Sequence, residues 1–348
     1  MSNLFASLIF RKRNQRKNER LLQIHTPNGI EQNNFITING IEQWVSIRGE
    51  NRDNPILFFV HGGPASSYSI FSPLLRYWEK HFTIVQWDQP GAGMTFSRNG
   101  VERTGKLSFE RLATDGIKVV EYVLEELRQD RLILVGSSAG SLTGVMMAKR
   151  RPDLFHVYVG TDQNSPDPNH IGYQAIIEAL TKAGDKKGLE LVEKMGADPA
   201  NWNQKDLEKR HQHVIKAIKN VPNMIMDLVL PAMLASPMHS FRDILDYFKG
   251  MSFSSHALFN ELIHFDGHQL EKDFELPVFI FQGDSDIITP TETARAYFEA
   301  LKAPHKEFAL IRRAGHLACF ARPEQFLEEL ITRVLPYVKQ KQGIKKAQ

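Results

Sequence analysis

The run Leu132-Ile133-Leu134-Val135, followed without a spacer by Gly136-x-Ser138-x-Gly140, constrains this chain more than any other stretch. Four consecutive apolar residues without alternation mark a strand covered on both faces, as in a parallel sheet. A periodic segment follows over residues 141–151 and stops at Pro152, which cannot continue a helix. Strand, sharp turn and helix around G-x-S-x-G form the context of a nucleophile elbow. There the central serine holds a strained backbone so that its hydroxyl stands above the sheet. Side chains two residues to either side would collide with that turn, hence the glycines. Only Ser138 fits the central position; Ser137 and Ser141 do not.

The flanking sequence repeats the buried-strand pattern. Two short strands are expected at 35–38 and 43–47, joined at Asn39-Gly40, a dipeptide suited to a type I′ turn. Ile56-Leu57-Phe58-Phe59-Val60 runs straight into His61-Gly62-Gly63-Pro64, and a helix is expected at 73–79. The next strand, 83–87, ends in Asp88-Gln89-Pro90-Gly91-Ala92-Gly93; Ser108 then suits the cap of a helix reaching Leu127. Further strands are expected at 157–160, 277–281 and 307–311, and a closing amphipathic helix at 323–335. Strands alternating with helices predict an α/β fold with a mainly parallel sheet and helices on both faces.

Between Asn164 and about Leu270 no strand pattern occurs, only helical stretches broken by Gly184, Gly196, Pro199, Pro222, Pro231 and Pro237. An all-helical insertion here would lie over the C-terminal edge of the sheet, where open α/β sheets bind ligands. The expected organisation is a basic arm (1–33), a first core segment (34–164), a helical cap (165–270), a second core segment (271–340) and a basic tail (341–348). Met224, Met226, Met233, Met238 and Met251 fall in the cap; filling its own core is the plainer reading, an adaptable apolar pocket the other.

A serine hydroxyl becomes a nucleophile only when a base takes its proton, and that base needs a carboxylate to hold its tautomer. In elbow-type enzymes the acid and then the histidine follow the serine along the chain. Gly283-Asp284-Ser285-Asp286 follows a late strand, and Asp286 is preferred to Asp284, which suits an aspartate fixing its own turn. Asp162 is a further reserve for the acid. His316, after Gly315 and the last strand, is the candidate base; activity should then fall below pH about 6–7. His61, His211, His213, His264 and His268 read as structural or surface residues, and His211-x-His213 lacks a third metal ligand at useful spacing. The oxyanion of a tetrahedral intermediate needs two fixed donors: the backbone N–H of Ala139 and one from the loop after residue 60, best supplied by Gly63. Gly91-x-Gly93 lacks the third glycine of a dinucleotide fingerprint.

Charge argues against a nucleic-acid partner. The net +3 conceals +5 in residues 1–20 and +4 in 339–348, leaving −6 for the body between them. The apolar patch Leu4 to Phe10 precedes its basic cluster, the wrong order for a secretory signal. A loose arm or a helix packed on the body is preferred there to membrane contact through residues 1–20. The single cysteine, Cys319, excludes an intramolecular disulfide and reads as a small buried residue; the cytoplasm is the default compartment.

With His61-Gly62-Gly63-Pro64, Asp88-Gln89-x-Gly91-x-Gly93, Gly136-x-Ser138-x-Gly140, Gly283-x-x-Asp286-x-x-x-Pro290 and Ala314-Gly315-His316 in order, the chain resembles the α/β-hydrolase superfamily. Within it, the chain looks most like the proline iminopeptidase (prolyl aminopeptidase) group. The resemblance implies a helical cap and release of an N-terminal residue, often proline, from small peptides or amides; acyl transfer through serine, histidine and aspartate needs no cofactor. This chain departs from the group in having Ala139 where tryptophan is usual, Pro90 where arginine is usual and Ala65 where glycine is usual. The resemblance also implies cap glutamates that hold the substrate's amine; Glu178, Glu190, Glu193 and Glu261 lie in the region, none within a matching motif. A carboxylic ester or lactone hydrolase is the alternative on the same fold, and a binding protein without turnover is a third reading.

Overall fold

The computed structural model describes residues 7–265, 270 and 272–339; the basic tail and His268 lie outside them. Eight strands form one sheet in the order β1-β2-β4-β3-β5-β6-β7-β8. They are β1 (Ile30–Ile38), β2 (Ile41–Gly49), β3 (Ile56–Val60), β4 (Thr83–Trp87), β5 (Leu132–Ser137), β6 (Phe155–Thr161), β7 (Val278–Gly283) and β8 (Lys306–Ile311). β1 and β2 pair antiparallel, as do β2 and β4, and every other pair is parallel. Asn39 and Gly40 both have positive φ, 49° and 84°, which is the type I′ geometry that closes the β1–β2 hairpin. The first strand begins at Ile30, inside the stretch expected to be arm.

The central strands are apolar throughout because helices cover both faces. Ile56, Phe58, Val60, Leu132, Leu134, Val278 and Ile280 enter one core cluster. Leu57, Phe59, Ile133, Val135, Val157, Val159, Phe279 and Phe281 enter the other. The period-2 alternation of a strand thus splits each continuous apolar run between two cores. Ser108 caps the helix Phe109–Leu127 by accepting the Arg111 N–H. Cys319 is buried.

One local expectation fails, and one helix appears that the sequence did not announce. Residues 73–79 form no α-helix; 3₁₀ turns at Tyr68–Leu75 and Trp78–Lys80 stand there instead, with Pro73 inside the first, where it supplies no N–H for an α-helical bond. An unexpected helix, Gly93–Thr104, follows β4, with a break at Gly100.

Between β6 and β7 the described residues form helices and no strand. Ile176, Leu180, Val192 and Val214 of this segment pack with Ile287, just past β7. The long helix Phe241–Ile263 approaches the loop after β4 closely enough that a Cβ on Gly250 would lie 2.6 Å from the Gly91 carbonyl oxygen. Met233 is buried in the main core, with Met224 and Met251 against it, which is the packing role. The basic helix Arg11–Leu22 is seated on the same segment: Arg11 donates to the His239 carbonyl at 2.7 Å, Gln15 to that of Ser236 at 2.8 Å and Asn18 to that of Ala235 at 2.9 Å. No helix among the described residues is long and apolar enough to cross a membrane.

Candidate active site

Ser138 lies between β5 and the helix Ala139–Arg150 with φ 52° and ψ −130°. That backbone is costly for a residue with a side chain, and the surroundings hold it in place. A Cβ on Gly140 would lie 2.3 Å from the Val60 carbonyl oxygen, and one on Gly136 would lie 2.9 Å from Ser141 Cα. Glycine at both positions therefore lets the turn press against β3 and its own helix.

Three side chains from distant parts of the chain meet here. His316 Nε2 stands 2.9 Å from Ser138 Oγ, and His316 Nδ1 2.9 Å from Asp286 Oδ2. Asp286 is buried and fixed: Oδ1 accepts the backbone N–H groups of Ile288 and Thr289, and Oδ2 also accepts the Thr289 hydroxyl and the Gln282 amide. Asp284 turns the other way, accepting the N–H groups of Arg313 and Ala314 and so tying its own turn to the loop after β8. Geometry selects Asp286 as the carboxylate on the imidazole.

Asp162 is buried, with φ 49°, directly after β6. Its Oδ2 accepts the Ser137 hydroxyl at 2.9 Å and its Oδ1 the Ala318 N–H at 3.0 Å. Asp162, Asp286 and His316 offer ligand-type atoms within 4.8 Å of one another. Hydrogen bonds account for all three. Burial by itself would push the His316 imidazole down; the charge and hydrogen bond of Asp286, then the charge of Asp162, outweigh it and hold His316 up at about 9. Burial raises Asp162 above the usual carboxylate range against the opposing charge of His316.

The glycine loop after β3 faces the serine. A Cβ on Gly62 would lie 2.5 Å from Ser138 Cβ, so only glycine fits. Gly63 follows with φ 118°, and Ala139 begins the elbow helix on the other side of Ser138. The motif Asp88-Gln89-x-Gly91-x-Gly93, to which the sequence assigned no role, is a clamp on the glycine loop. Gln89 donates its backbone N–H to His61 Nε2 at 3.2 Å and its side-chain amide to the His61 carbonyl at 2.8 Å. Asp88 accepts the Met94 N–H and the Ser67 hydroxyl. Burial pushes the His61 imidazole down to about 4, so it stays neutral and structural, as expected. Tyr68 also escaped the sequence reading: its hydroxyl bonds Ser137 Oγ at 2.7 Å and accepts the Gly62 N–H at 3.3 Å. No motif marks it; its position depends on the 3₁₀ turn.

His211, read as structural or surface, proves to be an electrostatic neighbour of the site. Burial first, then the Arg210 guanidinium and His316, push its imidazole down to about 3. His213 bonds Asp185 at 2.6 Å instead. None of the four glutamates considered for the substrate amine is placed for it. Glu178, Glu190 and Glu193 are exposed, and Glu261 accepts the Phe109 N–H at the start of another helix.

The family model described as alpha/beta hydrolase fold matches residues 55–323, and the chain belongs to that family. A probable aminopeptidase of Bacillus subtilis (strain 168), YbaC, is 27% identical over 304 residues, covering 85% of this chain and 93% of that one. A proline iminopeptidase of Lactobacillus delbrueckii subsp. bulgaricus is 23% identical over 302 residues, covering 86% and 95%. Among solved structures, a proline iminopeptidase-related protein from Thermus thermophilus superposes with a TM-score of 0.55 at 18% identity, over 86% of this chain and 96% of that one. The structural likeness establishes the shared fold.

Proposed function

We propose that the chain is a serine hydrolase working by acyl transfer, most like a proline iminopeptidase that releases N-terminal residues from small peptides or amides. The observation that carries this reading is the continuous hydrogen-bonded chain Ser138–His316–Asp286. In the proposed mechanism His316 Nε2 takes the hydroxyl proton as Ser138 Oγ attacks the substrate carbonyl, while Asp286 fixes the Nδ1–H tautomer and stabilises the imidazolium. The N–H groups of Ala139 and Gly63 hold the oxyanion. His316 then protonates the leaving group, and a water that it deprotonates releases the acyl group from Ser138. This chemistry calls for no cofactor. In this reading the helices between β6 and β7 act as a cap over the site, their cluster on Ile287 fixing them beside the acid loop.

The peptide preference draws on the names of the relatives, a probable aminopeptidase and proline iminopeptidases. A carboxylic ester or lactone substrate is the second reading, favoured by the absence of the four glutamates from the site. Turnover of a prolyl arylamide against short acyl esters separates the two. Ester cleavage without arylamide cleavage refutes the peptidase version, and absence of both with no labelling of Ser138 by a fluorophosphonate refutes the hydrolase.

A further inference from the structure

Two arginines are buried among helices and strands in this protein, and their surroundings differ sharply. Arg48, 4% exposed, donates to Glu79, pairs with Glu31 and also reaches the Leu22 carbonyl. Among the described residues Arg210, 8% exposed, has no carboxylate partner, and its Nε has no hydrogen-bond partner. Its guanidinium lies 4.2 Å above the ring of Trp202, which is itself anchored by donating its indole N–H to the Gly196 carbonyl at 2.9 Å.

A guanidinium over an indole face is held by the ring without using its N–H groups, which match a carboxylate with two parallel hydrogen bonds. Burying a cation without a counterion is unfavourable, and an arriving anion would recover that loss in a medium where charges act strongly. Burial pulls Arg210 down to about 10, so it still carries its charge at neutral pH.

Its place in the fold connects it to the reaction centre. Arg210 sits on the helix Gln204–Ala217. Val214, one turn further along, packs with Ile287 beside the acid loop. Val221, past the end of the helix, reaches Gly315, where a Cβ would lie 3.2 Å from Val221 Cγ2. His211, the next residue along, has both Arg210 and His316 as charged neighbours.

We propose that Arg210 is a carboxylate-binding residue of this site, and that the substrate is a small molecule bearing a free carboxylate, such as a dipeptide whose C-terminus pairs with the guanidinium over Trp202. The inference rests on the serine hydrolase reading for the reaction, but the recognition step is separable from it. It also supplies a recognition element at a site where the four glutamates considered for a substrate amine are absent.

The test uses the full-length protein and matched ligands that differ only in the carboxylate: prolylglycine against prolylglycinamide, and monomethyl succinate against dimethyl succinate. Each is measured for its power to slow fluorophosphonate labelling of Ser138, with every variant referred to its own unprotected rate. In the wild type, the acid of at least one pair should protect at about tenfold lower concentration than its neutral partner. Arg210→Met should bring the two together, and Arg210→Lys, which keeps the charge but not the fork, should fall between. Equal protection by acid and neutral partner in the wild type overturns the proposal, as does a preference that survives in Arg210→Met. Protection by inorganic phosphate stronger than by either acid overturns the carboxylate assignment. Should Ser138 fail to label, the hydrolase reading falls; a thermal shift given by prolylglycine or monomethyl succinate in the wild type and absent in Arg210→Met would still establish the anion site, and its absence would refute it.

Discussion

Asp162 Oδ1 accepts the Ala318 backbone N–H at 3.0 Å, fastening the end of β6 to the loop that carries His316. The imidazole therefore works beside two carboxylates, one bonded to it and one bonded to its loop. Both hold it above the ordinary histidine value of 6.5, toward about 9. A base must be neutral to accept a proton, so kcat/KM should rise with pH through a limb displaced upward from the pH 6–7 expected of an unperturbed histidine. Asp162→Asn removes one of the two charges and should move that limb to lower pH. A pH–rate profile of both proteins decides it, and an unmoved limb would separate Asp162 from the electrostatics of the base.

Ser138→Ala should abolish fluorophosphonate labelling and lower kcat on the order of 10⁶, the loss found when the nucleophile of such a relay is removed. Intact-protein mass spectrometry after labelling reads the first effect and a turnover assay the second. Near-normal turnover in the mutant would remove Ser138 from the chemistry.

The two aspartates after β7 should behave differently. Asp286→Asn loses the carboxylate that fixes the His316 tautomer and should lower kcat by about 10⁴. Asp284→Asn loosens the N–H groups of Arg313 and Ala314 and should cost about 1 kcal/mol of stability while leaving kcat close to the wild type. Parallel kinetics and thermal melts test the pair, and the reverse ranking would exchange their roles.

Gly62→Ala places a methyl group 2.5 Å from Ser138 Cβ and 2.8 Å from the Ser137 carbonyl oxygen. Either the serine or the glycine loop must shift, and a displacement of that size costs about 10² in kcat. A variant with wild-type turnover would show that the loop tolerates movement.

Stability should also depend on pH in a defined way. Burial holds His61 and His239 neutral, at about 4 in the folded chain against about 6.5 when unfolded. Between those values the unfolded chain binds more protons, so stability falls as pH drops; His211, held at about 3, carries the fall further, while the part of His61 and His239 is complete near 4. Each histidine accounts for roughly 3 kcal/mol by then. Asp88, raised to about 6 by burial, works in the opposite sense and offsets the smaller part. His316, raised to about 9, stabilises below 6.5 and loses that contribution as pH rises through 9. Thermal midpoints measured from pH 4 to 10 should therefore peak near about 6–7; a midpoint still climbing at pH 9 would contradict the His316 environment.

The central sheet was legible in the sequence because its strands are buried on both faces, which makes them continuous apolar runs such as 56–60 and 132–135. The elbow was legible because steric demand at Gly136 and Gly140 is local. Residues 73–79 misled, since Pro73 suits the first position of a helix, whereas in the fold it lies inside a 3₁₀ turn that already began at Tyr68. The clamp made by Asp88 and Gln89 was visible as a motif but not as a role, because its partners are 28 residues away for Gln89 and 21 for Asp88.

What the sequence determined alone was therefore whatever arises from neighbours along the chain: strand burial, the strained serine turn, and the candidates Ser138, Asp286 and His316. What only the tertiary structure decided was which charges meet. Asp286 rather than Asp284 or Asp162 bonds the imidazole, His211 joins the surroundings of the site, and Arg210 remains buried with no acid beside it among the described residues. Electrostatic energy depends on distance in space and on exclusion of water, and neither is written in the order of residues.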